Sequence, residues 1–281
     1  MTIAVTGATG HLGRLALDAL LARGTDASSI VAIGRNSERL ASLPAGVQIR
    51  VADYNDPIGF AAALTGVDRL LLVSSSEIGQ RVTQHGHVIA AAKEAEVDLI
   101  VYTSVANVET SAMALAAEHR ATEKAIAESG LKHSFLRNGW YIENYTDQVK
   151  VQLQHGAVFG SAGEGRVSAA TRADLADAAA VVLLAAEPRA TYELGGDAFT
   201  VAEYAAVLSD VAGTAVIYQD LPAPEYAQVL ARAGVPGPYV DLLVDSDLGL
   251  ARGDLMVASQ DLSDLLGRPV TPLAEAIRSV I

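Results

Sequence analysis

The chain has 281 residues, of which 51% are hydrophobic, and its formal net charge is −13. It contains no cysteine, which excludes disulfides, thiolate metal sites, iron–sulfur clusters and a cysteine nucleophile. The acidic charge, without any cluster of Lys or Arg, argues against a nucleic-acid partner, and the apolar runs are too short to span a bilayer. We therefore expect a soluble, cytoplasmic protein without a signal peptide, because the sequence opens directly on a predicted strand.

Short β-branched runs alternate with helical patterns over residues 1–137. Most of these runs are almost entirely apolar, which is typical of strands buried on both faces of a parallel sheet. The alternation predicts an α/β fold with a Rossmann-type, doubly wound parallel sheet. The predicted strands are Ile3–Val5, Ile30–Ile33, Val47–Val51, Leu70–Val73, Leu99–Thr103 and Ser134–Leu136. The predicted helices cover residues 11–24, 57–66, 80–97 and 116–130.

After Arg137 the pattern changes, since strands become sparse and turns frequent. A helix is predicted over Val201–Ala212, where Thr200 can cap the first turn, and another in the final segment, residues 272–281. We interpret residues 138–281 as a smaller, mostly helical substrate-side lobe. No flexible linker separates it from the dinucleotide-binding domain of residues 1–137, so the two are expected to pack closely.

Three glycines, Gly7, Gly10 and Gly13, directly follow the first predicted strand and open the first helix. In a dinucleotide-binding turn the first glycine allows the tight turn, the second lets the backbone approach a pyrophosphate, and the third permits close packing of helix and sheet. The free N–H groups of the helix N-terminus then hold the phosphates. A plain turn rich in glycine is the alternative.

Arg35 follows the second predicted strand, about 20 residues beyond the last glycine, where NAD-binding proteins usually carry an acid for the ribose 2′-hydroxyl. A guanidinium can pair with a 2′-phosphate through two hydrogen bonds. The position therefore favours NADP(H). The alternative is a solvated surface arginine, although a positive charge is poorly placed at a helix N-terminus.

Small polar residues follow other strands at the same predicted edge of the sheet. Ser74–Ser76 follow the fourth strand and Thr103 and Ser104 the fifth, which suits a ligand lying across the sheet edge, although ordinary turns use the same residues. Asp53 follows the third strand, where it could meet the adenine or simply cap a turn.

The segment Arg137–Tyr145 follows the sixth predicted strand and holds the only tryptophan. Asn138 and Gly139 could approach a nicotinamide carboxamide. Trp140 or Tyr141 could form an aromatic wall for a flat substrate, or instead anchor the two lobes to each other.

The sequence lacks Tyr-x-x-x-Lys, the acid–base pair of ordinary short-chain dehydrogenases. Tyr145 comes nearest, but Val149 is at the position required for lysine and Lys150 lies one residue too far. The absence places alcohol–ketone interconversion in doubt and argues against an epimerase or dehydratase acting on a sugar nucleotide.

Several titratable residues on the predicted helices look structural instead. His119, Glu123 and Lys124 are expected at the surface, because adjacent residues such as Glu123 and Lys124 do not face each other on a helix. His85 and His87 point to different faces of their helix, so no metal site is predicted there or elsewhere.

The opening "VTGATGHLG" resembles the NmrA-like group of atypical short-chain dehydrogenases. "SSSEIGQR", "HRATEKAI", "FLRNGWYIENY", "SAATRADLADAAA" and "LLGRPVTPLAEAI" are similar to its NADPH-dependent quinone oxidoreductase 2 type, in the same order over nearly the whole chain. The resemblance implies two-electron reduction of quinones by NADPH through direct hydride transfer, without flavin. It also implies loose substrate identity, because a relative with similar motifs reduces triphenylmethane dyes.

Asn138 and Tyr141 are the predicted catalytic residues. The glycine loop, the strand ends and the resemblance together predict a set of residues that bind NADP(H): Gly7, Ala8, Thr9, Gly10, His11, Leu12, Gly13, Arg35, Ser74, Ser75, Ser76, Thr103, Asn138, Gly139, Trp140, Tyr141, Ile142, Glu143 and Arg172. The expected partner is a small quinone-like molecule. The competing hypothesis is a redox sensor of the same group, which binds the dinucleotide without catalysis.

Overall fold

The computed structural model describes residues 1–281. Its strands are β1 (Ile3–Val5), β2 (Ile30–Gly34), β3 (Gln48–Val51), β4 (Arg69–Leu72), β5 (Leu99–Val105), β6 (His133–Asn138), β7 (Ala157–Gly160), β8 (Arg166–Val167), β9 (Thr191–Leu194), β10 (Phe199–Thr200) and β11 (Ile217–Asp220). Seven of them form one parallel sheet in the order β3-β2-β1-β4-β5-β6-β9. The strand order reverses between β1 and β4, and in such sheets the ligand crevice lies at the carboxyl ends of these strands.

The helices are α1 (His11–Ala22), α2 (Ser37–Ala41), α3 (Pro57–Ala63), α4 (Arg81–Glu94), α5 (Ala114–Ser129), α6 (Glu143–Thr146), α7 (Val149–His155), α8 (Arg172–Leu184), α9 (Val201–Ala212), α10 (Ala223–Arg232), α11 (Gly237–Arg252), α12 (Asp261–Leu266) and α13 (Leu273–Arg278), with a single 3₁₀ turn at Ala27–Ser29. No helix is long and apolar enough to cross a membrane.

Alternate residues of β1 enter two different cores, one on each face of the sheet. Ile3 and Val5 belong to the core that contains α1 and α8, whereas Ala4 belongs to the core that contains α3, α4 and α5. Successive side chains of a strand point to opposite faces, and this strand is therefore apolar throughout. Leu17 of α1 is fully buried, and burial of such a side chain contributes about 1.5–3 kcal/mol.

A third core lies in the second half of the chain, around Tyr204 and Leu208 of α9 and Ile277 of α13. Two small sheets border it, an antiparallel pair of β8 and β10 and a parallel pair of β7 and β11. The cap predicted for α9 is present as a full capping box, because the side chains of Thr200 and Glu203 each accept the other's backbone N–H.

The α/β fold with its doubly wound parallel sheet is confirmed, and the six predicted strands all occur in it. Two expectations need correction. The sheet does not end at residue 137, because β9 pairs with β6 and α8 packs beside α1. β3 lies at the edge of the sheet, so Ile49 and Val51 are 46% and 56% exposed instead of buried on both faces.

Candidate functional site: a cleft at the carboxyl edge of the sheet

The glycine loop joins β1 to α1 in a conformation that needs its glycines. Gly7 has φ +58, in the left-handed region that favours glycine. A Cβ on Gly13 would collide with the carbonyl oxygen of Gly7 and lie 2.8 Å from its carbonyl carbon. The first turn of α1 contains no acidic side chain, and no side chain caps the helix, because its N-cap residue is Gly10. The backbone N–H groups at the start of α1 can therefore bind an anion.

A cleft with a volume of about 470 Å³ lies against this loop. Much of the predicted site lines it, drawn from the ends of β1, β2 and β4 and from the segment after β6. The predicted residues in its wall are Gly7, Thr9, Gly10, His11, Leu12, Gly13, Arg35, Ser74, Ser75, Ser76, Tyr141 and Arg172.

The remaining predicted residues do not line this cleft. Ala8 is fully buried in the core, and Thr103 accepts a hydrogen bond from the Ser74 amide. Gly139 is packed so closely that a Cβ would collide with the carbonyl oxygen of Ser168. Ile142 belongs to the third core, and Trp140 packs against it. Glu143 accepts the backbone N–H of Arg172, which places its carboxylate at the N-terminus of α8.

One end of the cleft carries both arginines and acids. Arg35 lines it at the end of β2, and its guanidinium lies 3.0 Å from a Glu77 oxygen and 4.0 Å from an Asp53 oxygen. Arg39, which the sequence analysis missed, also lines the cleft and donates to the carbonyl oxygen of Thr9 at 2.7 Å. Arg39 lies on α2, two residues after its start, whereas Arg35 precedes the cap of that helix, so no spacing pattern in the sequence pairs the two. Asp53 both lines the cleft and accepts the Asn55 amide, so it fits each of its predicted roles.

The loop after β4 is fixed from behind by a buried hydrogen-bond chain. The Ser75 amide donates to His85 Nε2 at 3.0 Å, and His85 Nδ1 lies 3.0 Å from the hydroxyl of Thr122. Burial, with a smaller effect of the Arg81 charge, lowers the pKa of His85 to about 3, so the ring is neutral. Since Nε2 accepts, the proton resides on Nδ1 and is donated to Thr122, which in turn donates to the carbonyl oxygen of Glu118.

Two further arginines, Arg81 and Arg172, line the cleft. Arg81 is buried, and its Nε donates to the Ser75 carbonyl oxygen at 2.5 Å while its guanidinium pairs with Glu118 at 3.3 Å. Arg172 lies with its guanidinium carbon 4.9 Å from the centre of the Tyr141 ring, in cation–π contact. The cleft thus gathers four arginines in a chain whose net charge is −13.

Tyr141, the predicted aromatic wall, lines the cleft beside Arg172. Burial raises its pKa, and the polar neighbour Asn138 and the charge of Arg172 oppose that shift. The phenol is therefore neutral at physiological pH. Asn138 is buried, and its side-chain oxygen has no hydrogen-bond partner within the protein. An orphaned buried acceptor of this kind calls for a donor from a ligand or water.

His119 and Glu123 are buried, contrary to the expected surface positions. The hydroxyl of Tyr102 lies 2.7 Å from His119 Nδ1. Glu123 pairs with Arg137 at 2.7 Å, directly before Asn138 on β6. Only Lys124 is at the surface, with its side chain 74% exposed. The error arose because adjacency of residues 123 and 124 says nothing about which of the two faces the sheet.

His85 and His87 do point apart, since His87 Nδ1 contacts the carbonyl oxygen of Tyr54 and not Thr122. No group of three or more His, Cys, Asp or Glu side chains is arranged to hold a metal ion.

The strand order, the glycine turn at the switch point and the basic end of β2 define a dinucleotide-binding protein of the Rossmann type. The sequence pattern of a family described as NAD(P)H-binding matches residues 7–186. Quinone oxidoreductase 2 of Escherichia coli strain K12 is 46% identical over 278 residues, which cover 98% of this chain and 97% of that protein. The chain therefore belongs to the NAD(P)H-binding family.

Two solved structures are similar over nearly the whole chain. The crystal structure of the NADPH-dependent quinone oxidoreductase of Escherichia coli, in complex with NADPH, has a TM-score of 0.96 at 46% identity and covers 99% of each chain. The triphenylmethane reductase of Citrobacter sp., in complex with NADP(H), has a TM-score of 0.95 at 36% identity and covers 100% of each chain.

Proposed function

We propose that the protein catalyses the two-electron reduction of quinones, or of similar flat conjugated acceptors, by NADPH without flavin. The observation that carries the proposal is the single cleft in which a glycine loop, a pair of arginines and an aromatic wall meet. The similarity to a quinone oxidoreductase over nearly the whole chain supports the acceptor class. We propose the cytoplasm as its compartment and a small molecule as its partner.

The residues of the cleft fit NADP(H). The N–H groups at the start of α1 can hold the pyrophosphate, because Gly13 lets α1 pack directly against the carbonyl group of Gly7 in the loop. Arg35 and Arg39 supply the positive charge that a 2′-phosphate requires. The unpartnered oxygen of Asn138 is an acceptor suited to a carboxamide N–H. When bound, NADPH supplies the hydride.

We propose that Tyr141 is not a dedicated proton donor. Tyr141 lacks the lysine partner that lowers the tyrosine pKa in ordinary short-chain dehydrogenases, and its own pKa is raised. A quinone tolerates this absence, because the hydroquinone anion formed from it is delocalised over an aromatic ring. The protein's main contribution is then to hold two flat rings in contact, a proximity effect that can reach about 7–11 kcal/mol.

A direct test is the loss of NADPH absorbance on addition of a simple benzoquinone to the purified protein. We expect turnover that saturates in both substrates, no flavin absorbance band, and no loss of activity with a chelator. Simple ketones should not react. Tight NADPH binding without turnover on a panel of benzoquinones and naphthoquinones would instead support the redox-sensor hypothesis.

A further inference from the structure

An ion pair joins the two rims of the cleft. Arg35 stands at the end of β2 and Glu77 lies in the loop after β4, and both line the cleft. Their side chains meet at 3.0 Å, and Asp53 adds a second carboxylate oxygen 4.0 Å from the same guanidinium nitrogen. The positive charge of Arg35 is therefore already matched within the protein by two acids.

Glu77 is held in this position from behind. The carboxylate oxygen that does not face Arg35 accepts a hydrogen bond from the side-chain amide of Gln84 at 2.7 Å. Gln84 is only 1% exposed, and its own side-chain oxygen accepts the Ser75 hydroxyl at 2.5 Å. Because a buried side chain orients it, the carboxylate of Glu77 is directed at Arg35.

We infer that Glu77 is a specificity-determining residue that reduces the preference for NADPH over NADH. The inference rests on the proposed assignment of Arg35 to the 2′-phosphate. A phosphate monoester carries about −1.5 to −2 charge at neutral pH. It must share Arg35 with Glu77 and is repelled by the same carboxylate. NADH has a neutral hydroxyl at that position, so its binding leaves the pair of Arg35 and Glu77 undisturbed.

The expected change in NADPH affinity is modest, because the side chains of Arg35 and Glu77 are exposed to solvent. The side chains of Arg35 and Glu77 are 71% and 43% exposed, so water and salt screen their interaction. Removal of the Glu77 charge should therefore tighten NADPH binding by about threefold to tenfold and leave NADH within about twofold. The gain should shrink as ionic strength rises, because all of the charges involved lie at an open rim.

The experiment compares dissociation constants for NADPH and NADH in the wild type, Glu77→Gln and Glu128→Gln. Glutamine keeps an oxygen for the Gln84 amide and removes only the charge. Glu128 is an exposed acid on α5, 68% exposed and paired only with Lys124, so its substitution makes the same change in net charge away from the cleft. We expect the ratio of the NADH to the NADPH dissociation constant to rise threefold to tenfold in Glu77→Gln alone.

The outcomes separate this inference from the proposed function. An NADPH affinity that stays the same or falls in Glu77→Gln overturns the inference while the wild type still binds and oxidises NADPH. Equal shifts for both cofactors also overturn it, since they would reflect a disturbed loop and not the 2′-phosphate. A wild-type protein that binds neither cofactor overturns the proposed function and this inference together.

Discussion

The two ends of the cleft are built in different ways. The end at the glycine loop comes from residues close together in the chain, because β1, the turn and α1 follow one another directly. The end at Tyr141 is assembled from distant segments, since Arg172 reaches the Tyr141 ring from the start of α8 and Glu143 in turn caps that helix. Local backbone constraint shapes the first end, and tertiary packing shapes the second.

This difference predicts how each end responds to substitution. A change in the glycine loop acts on backbone geometry and should affect both cofactors severely. A change at the assembled end acts on one side chain among several and should be milder. Four substitutions test that contrast, in order of decreasing effect.

Gly13→Ala should have the largest effect. The added methyl group collides with the carbonyl group of Gly7 and must displace α1 from the loop. A displacement of about 1 Å in a positioning element can cost about 100-fold in kcat/KM, and we expect that loss for NADPH. The matched control is Gly86→Ala in α4, where a Cβ meets nothing within 4 Å. Similar kinetics for the two variants would contradict the assigned role of the loop.

Arg35→Ala should weaken NADPH binding selectively. A charge-assisted hydrogen bond contributes about 1.5–3 kcal/mol, which corresponds to roughly tenfold to hundredfold in affinity. NADH affinity should change little, because it lacks the 2′-phosphate. Titration of both cofactors measures the ratio, and an NADPH preference that survives the substitution unchanged would show that Arg39 or another residue binds the phosphate instead.

His85→Leu should loosen the loop after β4. It leaves the Ser75 amide and the Thr122 hydroxyl without their shared partner, and an unmade buried hydrogen bond costs about 1–3 kcal/mol. We expect KM for NADPH to rise about tenfold with kcat at saturation nearly unchanged. His85→Gln, whose side-chain oxygen can accept the Ser75 amide, should recover part of the loss.

The exposed His155→Gln is the control for this pair. A kcat that falls along with the rise in KM in His85→Leu would indicate general disruption of the fold. Equal defects in the leucine and glutamine variants would show that the hydrogen bond to Ser75 does not position the loop.

The glycine-loop end of the cleft could be predicted from the sequence, because the residues that constrain its backbone are close together in the chain. Three glycines after a strand constrain the backbone wherever they occur, and Arg35 follows from the length of one strand–helix–strand unit. The buried chain from Ser75 through His85 to Thr122 has no such signature, since it joins a loop to two helices. Arg39 carried no such signal either, because it lies inside α2 while Arg35 precedes the cap of that helix.

The errors elsewhere in the chain have the same origin. Glu123 looked like a surface residue because its partner, Arg137, lies on a different element and nothing local marks the pair. The continuation of the sheet beyond residue 137 was missed because β9 is short and follows α8, well after the turn-rich segment begins. The pairing of β9 with β6 depends on tertiary contacts between segments that are distant in the sequence. The sequence of β9 alone therefore does not predict it.

Tyr141→Phe should have the smallest effect and decides whether the assembled end supplies a proton. Burial raises the pKa of Tyr141, so its phenol stays protonated below its ordinary pKa of about 10. His85, with a pKa of about 3, stays neutral above pH 5. Neither group titrates between about pH 6 and 8, so turnover should be nearly flat there.

If Tyr141 is only a wall, phenylalanine should keep turnover within about twofold, because it preserves the ring that contacts the acceptor. Tyr141→Ala removes that ring and the cation–π contact with Arg172, so KM for the quinone should rise several-fold while NADPH binding changes less. Steady-state kinetics of both variants across this pH range provide the measurement. A bell-shaped profile in the wild type, with a loss of about 100-fold in Tyr141→Phe, is the behaviour of a general acid. That result would mean that the assembled end does chemistry of its own and does not merely hold the acceptor against the cofactor.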